Sequence, residues 1–204
     1  MTSKVILAVE DSLSKAVAER ILAHYAIDVA QTIGLRGSGY LRTKARSLNI
    51  TALGFPVFML TDLDTRKRCP VDVVESWIGA PRNPGFLFRV AVMEIEAWVL
   101  ADRDAFARFI TVATTRLPND ADSIDDPKQL IINLVRRCKD AGLRRDLVPA
   151  SGSTATIGPA YNARLTQFVA TEWDPSSAAP ASASLRRTLS SLSRFVEMAQ
   201  RPTR

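Results

Sequence analysis

The chain has 204 residues, of which 47% are hydrophobic and 24% are charged, and its formal net charge is +6. This mixture is typical of a globular protein and excludes a disordered or collagen-like chain. Two cysteines are too few for a disulfide-stabilised secreted domain. No stretch has the roughly 18 uninterrupted apolar residues of a membrane span, and the N-terminal apolar run ends on an acid instead of a cleavage site. We therefore expect a cytoplasmic protein.

In the first half of the chain, short apolar runs with β-branched residues alternate with amphipathic segments. The runs predict strands at 4–10, 55–60 and 86–92, with a shorter extended piece at 28–35. Helical spacing of apolar residues predicts helices at 12–25, 40–49 and 71–79. This alternation favours an α/β fold, in which a parallel sheet is flanked by helices.

The second half of the chain is helical in character. Helices are predicted at 128–140, 159–172 and 184–199, after an acidic loop at 118–127. The stretch 174–184 contains only Asp, Pro, Ser and Ala, which by composition is typical of a linker. We expect an α/β core over 1–112 and a helical portion over 113–204 that packs on it within one compact unit.

The net charge is divided unevenly along the chain. Residues 1–126 hold 15 basic and 16 acidic side chains, whereas residues 127–204 hold 12 basic and 5 acidic ones. A basic second half favours contact with a polyanion, nucleic acid above all. The alternative is that these arginines only keep the surface soluble.

The histidine count restricts the chemistry available to this chain. His24 is the only histidine, and it falls near the end of a predicted helix with no Ser or Cys nucleophile motif nearby. A helix-surface or helix-end position is therefore expected for it, and a Ser-His-Asp or histidine-zinc site is not. Any metal would need oxygen ligands, which favour Mg²⁺, Mn²⁺ or Ca²⁺.

Carboxylates follow each of three predicted strands. They are Glu10 after the first, Asp62 and Asp64 after the central one, and Glu94 and Glu96 after the last. Ligands of open parallel sheets bind outside the carboxyl ends of the strands, where these acids would converge. Asp62 and Asp64 would project to one face if the chain stays extended. Clustered carboxylates repel one another unless a cation lies between them, so we predict a divalent metal site.

Glu94 and Glu96 are alternatives at this site. If a helix begins at Glu94, side chains two residues apart point roughly 200° away from each other. Only one of the two would then reach the site easily. Glu94 is nearer the strand end and is the first choice, with Glu96 as the second.

These motifs resemble the Toprim fold of topoisomerases, primases, recombination-mediator proteins and OLD-type nucleases. The resemblance begins with a strand that ends on Glu10 and continues with the strand that carries Asp62-x-Asp64. It is closer to a group of small stand-alone bacterial Toprim-like proteins, through the stretches 8–14, 60–65, 88–98, 126–128, 158–162 and 184–187. The chain departs from many Toprim proteins in having Asp11 where they have glycine.

The resemblance implies roles for several residues. Glu10 would act in acid–base chemistry or as a metal ligand, and Asp62 and Asp64 would coordinate Mg²⁺. Lys128 would reach a scissile phosphate, as a lysine does in OLD-type nucleases. The stretch 174–184 would be ordered, and a basic helix beginning at 184 would present Arg186 and Arg187 to phosphate.

The leading functional hypothesis is phosphodiester cleavage of DNA or RNA that depends on Mg²⁺ or Mn²⁺, with a role beside an ATPase encoded nearby in an anti-phage defence system. The alternative is a non-catalytic, metal-binding partner or regulatory subunit of such an ATPase. Nucleotidyl transfer is a third and weaker hypothesis, because the chain is short for a polymerising enzyme. The sequence leaves open whether DNA or RNA is bound and what the oligomeric state is.

Overall fold

The computed structural model describes residues 3–200, and its sheet consists of four parallel strands in the order β2-β1-β3-β4. The strands are β1 Ser3–Val9, β2 Ile27–Gly34, β3 Val57–Asp62 and β4 Phe86–Ala91. Helices cover both faces of the sheet, and the C-terminal portion is helical. The predicted fold class is therefore confirmed. Continuous apolar runs form the two inner strands because both of their faces are buried.

The helices follow the strands in chain order and continue to the end of the described chain. They are α1 Ser12–His24, α2 Ser38–Thr51, α3 Pro70–Ile78, α4 Ile95–Ala101, α5 Arg103–Phe109, α6 Pro127–Val135, α7 Ala141–Leu147, α8 Tyr161–Thr171, α9 Pro175–Ala178 and α10 Ala183–Gln200. An aspartate caps several of them, because its carboxylate accepts from amides that the first turn leaves free. These caps are Asp11, Asp102, Asp126, Asp140 and Asp174.

The strand order reverses direction between β1 and β3. The chain passes from β1 to β2 on one side and then returns across β1 to form β3 on the other. This reversal opens a crevice between the carboxyl ends of β1 and β3. Gly34 closes the β2 side, because a Cβ atom there would stand 2.0 Å from the carbonyl oxygen of Val9. The crevice is thus bounded by backbone on one side and by β3 on the other.

Alternate residues of each strand enter two different apolar layers. In β4, Phe86, Phe88 and Val90 pack with α2 and α3, whereas Leu87 and Ala91 face the layer that contains α1 and α4. The layer that contains α1 and α4 also includes Trp98, Trp173 and Leu192, so it extends from the sheet to α10.

Two elements of the second half differ from the sequence predictions. The C-terminal end of the helix predicted at 128–140 is wrong, because α6 ends at Val135 and α7 follows after a turn. The linker predicted from composition at 174–184 is also wrong, because α9 and a short 3-10 turn at Ala179–Ala181 occupy it. Buried Trp173 holds this segment in place by donating to the Trp98 carbonyl oxygen at 3.0 Å. Composition alone does not reveal such an anchor.

His24 ends α1 and is exposed, as predicted, and its Nε2 atom lies 3.3 Å from the Ser176 hydroxyl. Cys69 is exposed and Cys138 is buried, and neither is in a disulfide. None of the helices within residues 3–200 combines the length and the apolar character that crossing a membrane requires.

Part of the acidic loop predicted at 118–127 stabilises the fold. It contains a 3-10 turn at Ala121–Ser123, and Asp122 in this turn reaches the start of α10. The Asp122 carboxylate accepts from the Ser184 amide at 2.7 Å and from the Ser182 and Ser184 hydroxyls at 2.6 and 3.0 Å. Trp98 Nε1 donates to the same Ser184 hydroxyl at 2.7 Å. The loop therefore holds the N-terminus of α10 against α4.

Removal of this carboxylate should destabilise the protein. Asp122→Ala leaves the buried hydroxyls of Ser182 and Ser184 without their acceptor, so we expect a loss of about 2–4 kcal/mol in the free energy of unfolding. The control is Asp125→Ala, since the Asp125 side chain is 87% exposed and its ion pair within residues 3–200 is the one with Arg66. That change should cost less than about 1 kcal/mol. Equal losses for the two variants in urea unfolding would contradict the assigned role of Asp122.

Candidate metal centre

Five carboxylates meet at the carboxyl ends of three strands, and we call this group the acidic edge. Its members are Glu10 after β1, Asp62 and Asp64 at the end of β3, and Glu94 and Glu96 after β4. Their charges raise one another's pKa values: Asp62 is affected by Glu10, Glu96 and Asp64, and Asp64 by Glu94. The structure thus places all five acids near enough for their charges to interact, although no three of them within residues 3–200 are arranged to hold a metal ion as they stand.

Glu10 points across the crevice towards β3. Its Oε1 atom accepts from the Thr61 hydroxyl and from the Asp62 amide, the latter at 2.9 Å. Burial raises the pKa of Glu10, and the charges of Asp64 and Asp11 add to the increase, although the two hydrogen bonds oppose it. Thr61 was missed by the sequence reasoning, although a polar residue between an apolar run and Asp62 is a signal for such a contact.

Asp62 is the least satisfied member of the acidic edge. Its Oδ1 atom is buried and has no hydrogen-bond partner among residues 3–200. Burial and the neighbouring carboxylates raise the pKa of Asp62 well above its usual range. A buried carboxylate oxygen without a partner is costly unless a cation meets it. The donor set is all oxygen, as Mg²⁺ and Mn²⁺ prefer, so these residues fit such an ion.

The backbone turns sharply where the two strands end. Asp64 and Met93 have φ values of 58° and 63°, which are unusual for residues other than glycine. The Asp64 amide donates to the Met93 carbonyl at 2.9 Å, so each left-handed residue supports the other. Such strain costs about 1–3 kcal/mol per residue and concentrates at functional sites. The extended geometry predicted for Asp64 is therefore wrong.

Glu94 and Glu96 both reach the ammonium group of Lys128. The Nζ atom lies 3.0 Å from Glu94 Oε1 and 3.5 Å from Glu96 Oε1. The preference for Glu94 over Glu96 as a metal ligand stays a prediction, since both contact the same ammonium group. Glu94 occupies the N-cap of α4 with extended φ and ψ. The angle of roughly 200° between side chains two residues apart in a helix therefore does not apply to Glu94 and Glu96.

Lys128 enters the acidic edge from the first turn of α6. Its amide donates to Glu94 Oε2 at 3.3 Å, so both backbone and side chain hold the glutamate. Burial alone would lower the pKa of Lys128, but the charges of Glu96 and Glu94 outweigh it and raise that pKa. The ammonium group thus stays protonated and offsets part of the negative charge.

Tyr161 completes the buried side of the site and was not predicted to take part. Its hydroxyl donates to Glu96 Oε1 at 3.4 Å. Burial raises the pKa of Tyr161, and the charges of Glu96 and Glu94 raise it further. Tyr161 begins α8 and lies within the stretch 158–162 that supports the Toprim resemblance, which was the available signal.

The structure separates Arg186 from Arg187. The Arg186 guanidinium donates to the carbonyl oxygens of Ala179 and Pro180 at 2.8 and 2.9 Å, so it closes the turn before α10. Arg187 lines a cavity between α3 and α10 together with Arg82 and Arg89. The arginine that pairs with the acidic loop is Arg66, at 2.5 Å from Asp125. Arg186 and Arg187 thus have different surroundings, and their role in holding phosphate stays a prediction.

Within residues 3–200, no three acidic, histidine or cysteine side chains stand in a ready-made arrangement for a metal ion. In this structure, Glu10 is turned towards Thr61, and Lys128 lies beside Glu94 and Glu96. Comparisons of the chain with models of known protein families, with curated proteins and with solved structures give no match. The Toprim resemblance therefore stays a prediction from the sequence.

Metal ions should stabilise the protein through the aspartates of the acidic edge. We expect Mn²⁺ or Mg²⁺ to raise the melting temperature of the parent, with about 2.7 kcal/mol of stabilisation at 100 times the dissociation constant. Asp62→Asn with Asp64→Asn should abolish this shift and raise the melting temperature in EDTA, because repulsion falls. Asp72→Asn with Asp125→Asn, which removes two exposed acids elsewhere, should leave the shift intact. A metal response in the first variant equal to that of the parent would contradict this site.

The stability of the protein should also depend on the protonation of Glu96, whose side chain is 3% exposed. Burial, partly opposed by Lys128, raises the pKa of Glu96 from 4.5 to about 7. The folded state therefore holds this proton more tightly than the unfolded state, and stability falls as the pH rises from about 4.5 to about 7. The shift corresponds to a contribution on the order of 3 kcal/mol.

Glu96→Gln tests this dependence, because the amide stays neutral at every pH. In urea unfolding with EDTA, the variant should lose less stability than the parent between pH 5 and pH 8. Identical pH dependence in the two proteins would show that Glu96 is not the titrating group.

Proposed function

We propose that this protein cleaves phosphodiester bonds in DNA or RNA with the help of Mg²⁺ or Mn²⁺ held at the acidic edge. The observation that carries the proposal is the buried Asp62 oxygen, which has no hydrogen-bond partner among residues 3–200 and lies in the acidic edge where the strand order reverses. Parallel sheets bind ligands at this point. The basic second half of the chain and the resemblance to Toprim nucleases support a nucleic-acid substrate.

Asp62, Asp64 and Glu10 are the residues that would hold the ion, with Glu94 and Glu96 beside them. When bound, a divalent ion polarises a phosphoryl oxygen and favours ionisation of water. Glu10 accepts hydrogen bonds at Oε1 from the Thr61 hydroxyl and the Asp62 amide, so its other carboxylate oxygen can receive a proton from an attacking water. Lys128 carries an ammonium group beside the acids that can donate to a phosphate oxygen.

Cleavage should be measured on single- and double-stranded DNA and RNA with Mg²⁺, with Mn²⁺ and with EDTA. Asp62→Asn and Glu10→Gln preserve side-chain shape and should each reduce the rate by roughly 10²-fold or more, since they remove a ligand or a base. Asp125→Asn is the matched control, because it removes an exposed acid that does not belong to the acidic edge. Full cleavage by the Asp62 variant, or in EDTA, would overturn the proposal.

A second candidate function is a non-catalytic, metal-binding partner of an ATPase. The observation that favours it is the Lys128 ammonium group, which already offsets the charges of Glu94 and Glu96. Thermal stabilisation by metal without cleavage of any substrate would support this candidate over the nuclease. For either function, the resemblance supports a role beside an ATPase in bacterial anti-phage defence.

A further inference from the structure

Four arginines from three separate segments line the space between β4 and α10, and we call this surface the arginine groove. Arg82 precedes β4, Arg89 lies within it, and Arg187 and Arg194 belong to α10. A cavity of about 470 Å³ is lined by Arg82, Arg89 and Arg194, and one of about 830 Å³ by Arg82, Arg89 and Arg187. The two cavities share Arg82 and Arg89, so they lie next to each other along the groove.

Arg89 is the deepest of the four. It shares a sheet face with Leu87 and Ala91, and its guanidinium donates to the buried hydroxyl of Ser191 on α10. Its Nε atom is buried and has no hydrogen-bond partner among the described residues. Burial lowers the pKa of Arg89 to about 10, and the nearby charges of Arg82 and Arg194 contribute. The group is therefore cationic at neutral pH and lacks a full set of acceptors.

The groove does not neutralise its own charge. Over residues 3–200, none of the four arginines lies within 4.0 Å of a carboxylate oxygen. The acids that line the two cavities are Glu75 and Glu197, and Glu197 accepts from the Ser193 hydroxyl at 3.0 Å. A half-buried guanidinium among like charges is unfavourable unless an anion from outside meets it.

We propose that the arginine groove binds the phosphodiester backbone of a nucleic-acid strand. The inference rests on the proposed function, because it assigns the surface that presents the substrate. Guanidinium groups match phosphate oxygens in a bidentate way, and within residues 3–200 none of these four forms a salt bridge with a carboxylate. The wall of the larger cavity includes exposed Val71 and half-buried Val74, which offer an apolar surface to a base.

The dimensions of the groove favour a strand over a compact anion. Arg187 and Arg194 are seven residues apart on one face of α10, so they are separated by about 10 Å along the helix axis. The groove also leads to the acidic edge. Asp62 pairs with Ala91 in the sheet, and Arg89 lies two residues before Ala91, about 7 Å back along β4.

Binding should be measured without metal, so that no cleavage occurs. The probe is a fluorescein-labelled single-stranded oligonucleotide of DNA or RNA, with anisotropy recorded in EDTA at several salt concentrations. Arg187→Ala with Arg194→Ala changes two exposed side chains and should weaken affinity about 10-fold or more. Its salt slope should fall by about 1.4, since each phosphate contact to a single strand contributes about 0.7.

Arg42→Ala with Arg46→Ala, on α2, removes the same charge from another exposed surface. This control should keep the parent's salt slope and bind within about 3-fold of the parent. Arg89→Gln, with a melting curve as a check of folding, should weaken binding as the α10 variant does. Equal effects of the α10 and α2 variants would overturn the proposal, because overall charge would then explain binding.

Competition distinguishes a strand from a small anion. If inorganic phosphate or a mononucleotide displaces the oligonucleotide at equal phosphate concentration, the groove binds a small anion and the proposal is overturned. If the parent binds the oligonucleotide but cleaves no substrate, and the groove variants lose that binding, the groove proposal is supported and the nuclease proposal is contradicted. A parent that cleaves, with groove variants that bind and cleave equally well, would overturn the groove alone.

Discussion

Repulsion among the carboxylates of the acidic edge is the constraint on which much of this structure depends. Parallel strands end side by side, so the acids that follow them meet whether or not their charges are balanced. The Lys128 ammonium group offsets part of that charge from the side of Glu94 and Glu96. Because Lys128 lies on α6, the helical second half of the chain must dock on the sheet before the edge is compensated. Among residues 3–200, Asp62 still has a buried oxygen that lacks a hydrogen-bond partner.

Much of this arrangement could be predicted from residue order. Apolar runs locate the strands, and the acids that follow them are then placed at one edge by the parallel topology. The left-handed backbone at Asp64 and Met93 could not be predicted, because aspartate adopts it only occasionally and methionine rarely, and the hydrogen bond from the Asp64 amide to the Met93 carbonyl is a tertiary contact. Tyr161 lies far from Glu96 in sequence and carries no spacing signal. The anchoring of the segment after Trp173 likewise depends on a tertiary contact, which composition does not report.

The two charged surfaces make different demands on an anionic strand. The arginine groove attracts phosphates at any metal concentration, whereas the acidic edge repels them until its charge is reduced. A strand held by the groove would therefore meet a barrier at Asp62 that falls when a cation arrives. Binding of the strand would thus not depend on metal, whereas the reaction would, although the two surfaces involve neighbouring strands of one sheet.

The position of Arg89 also bears on how the edge of the sheet meets other molecules. β4 is an edge strand, and an edge strand offers its backbone to strands from other molecules. A charged side chain directed towards the apolar side of such a strand discourages this pairing, since an added strand would bury the charge. α10 covers the same face and leaves little room for a flat extension. The side chain that would give a phosphate its deepest contact thus also protects the protein from edge-to-edge aggregation.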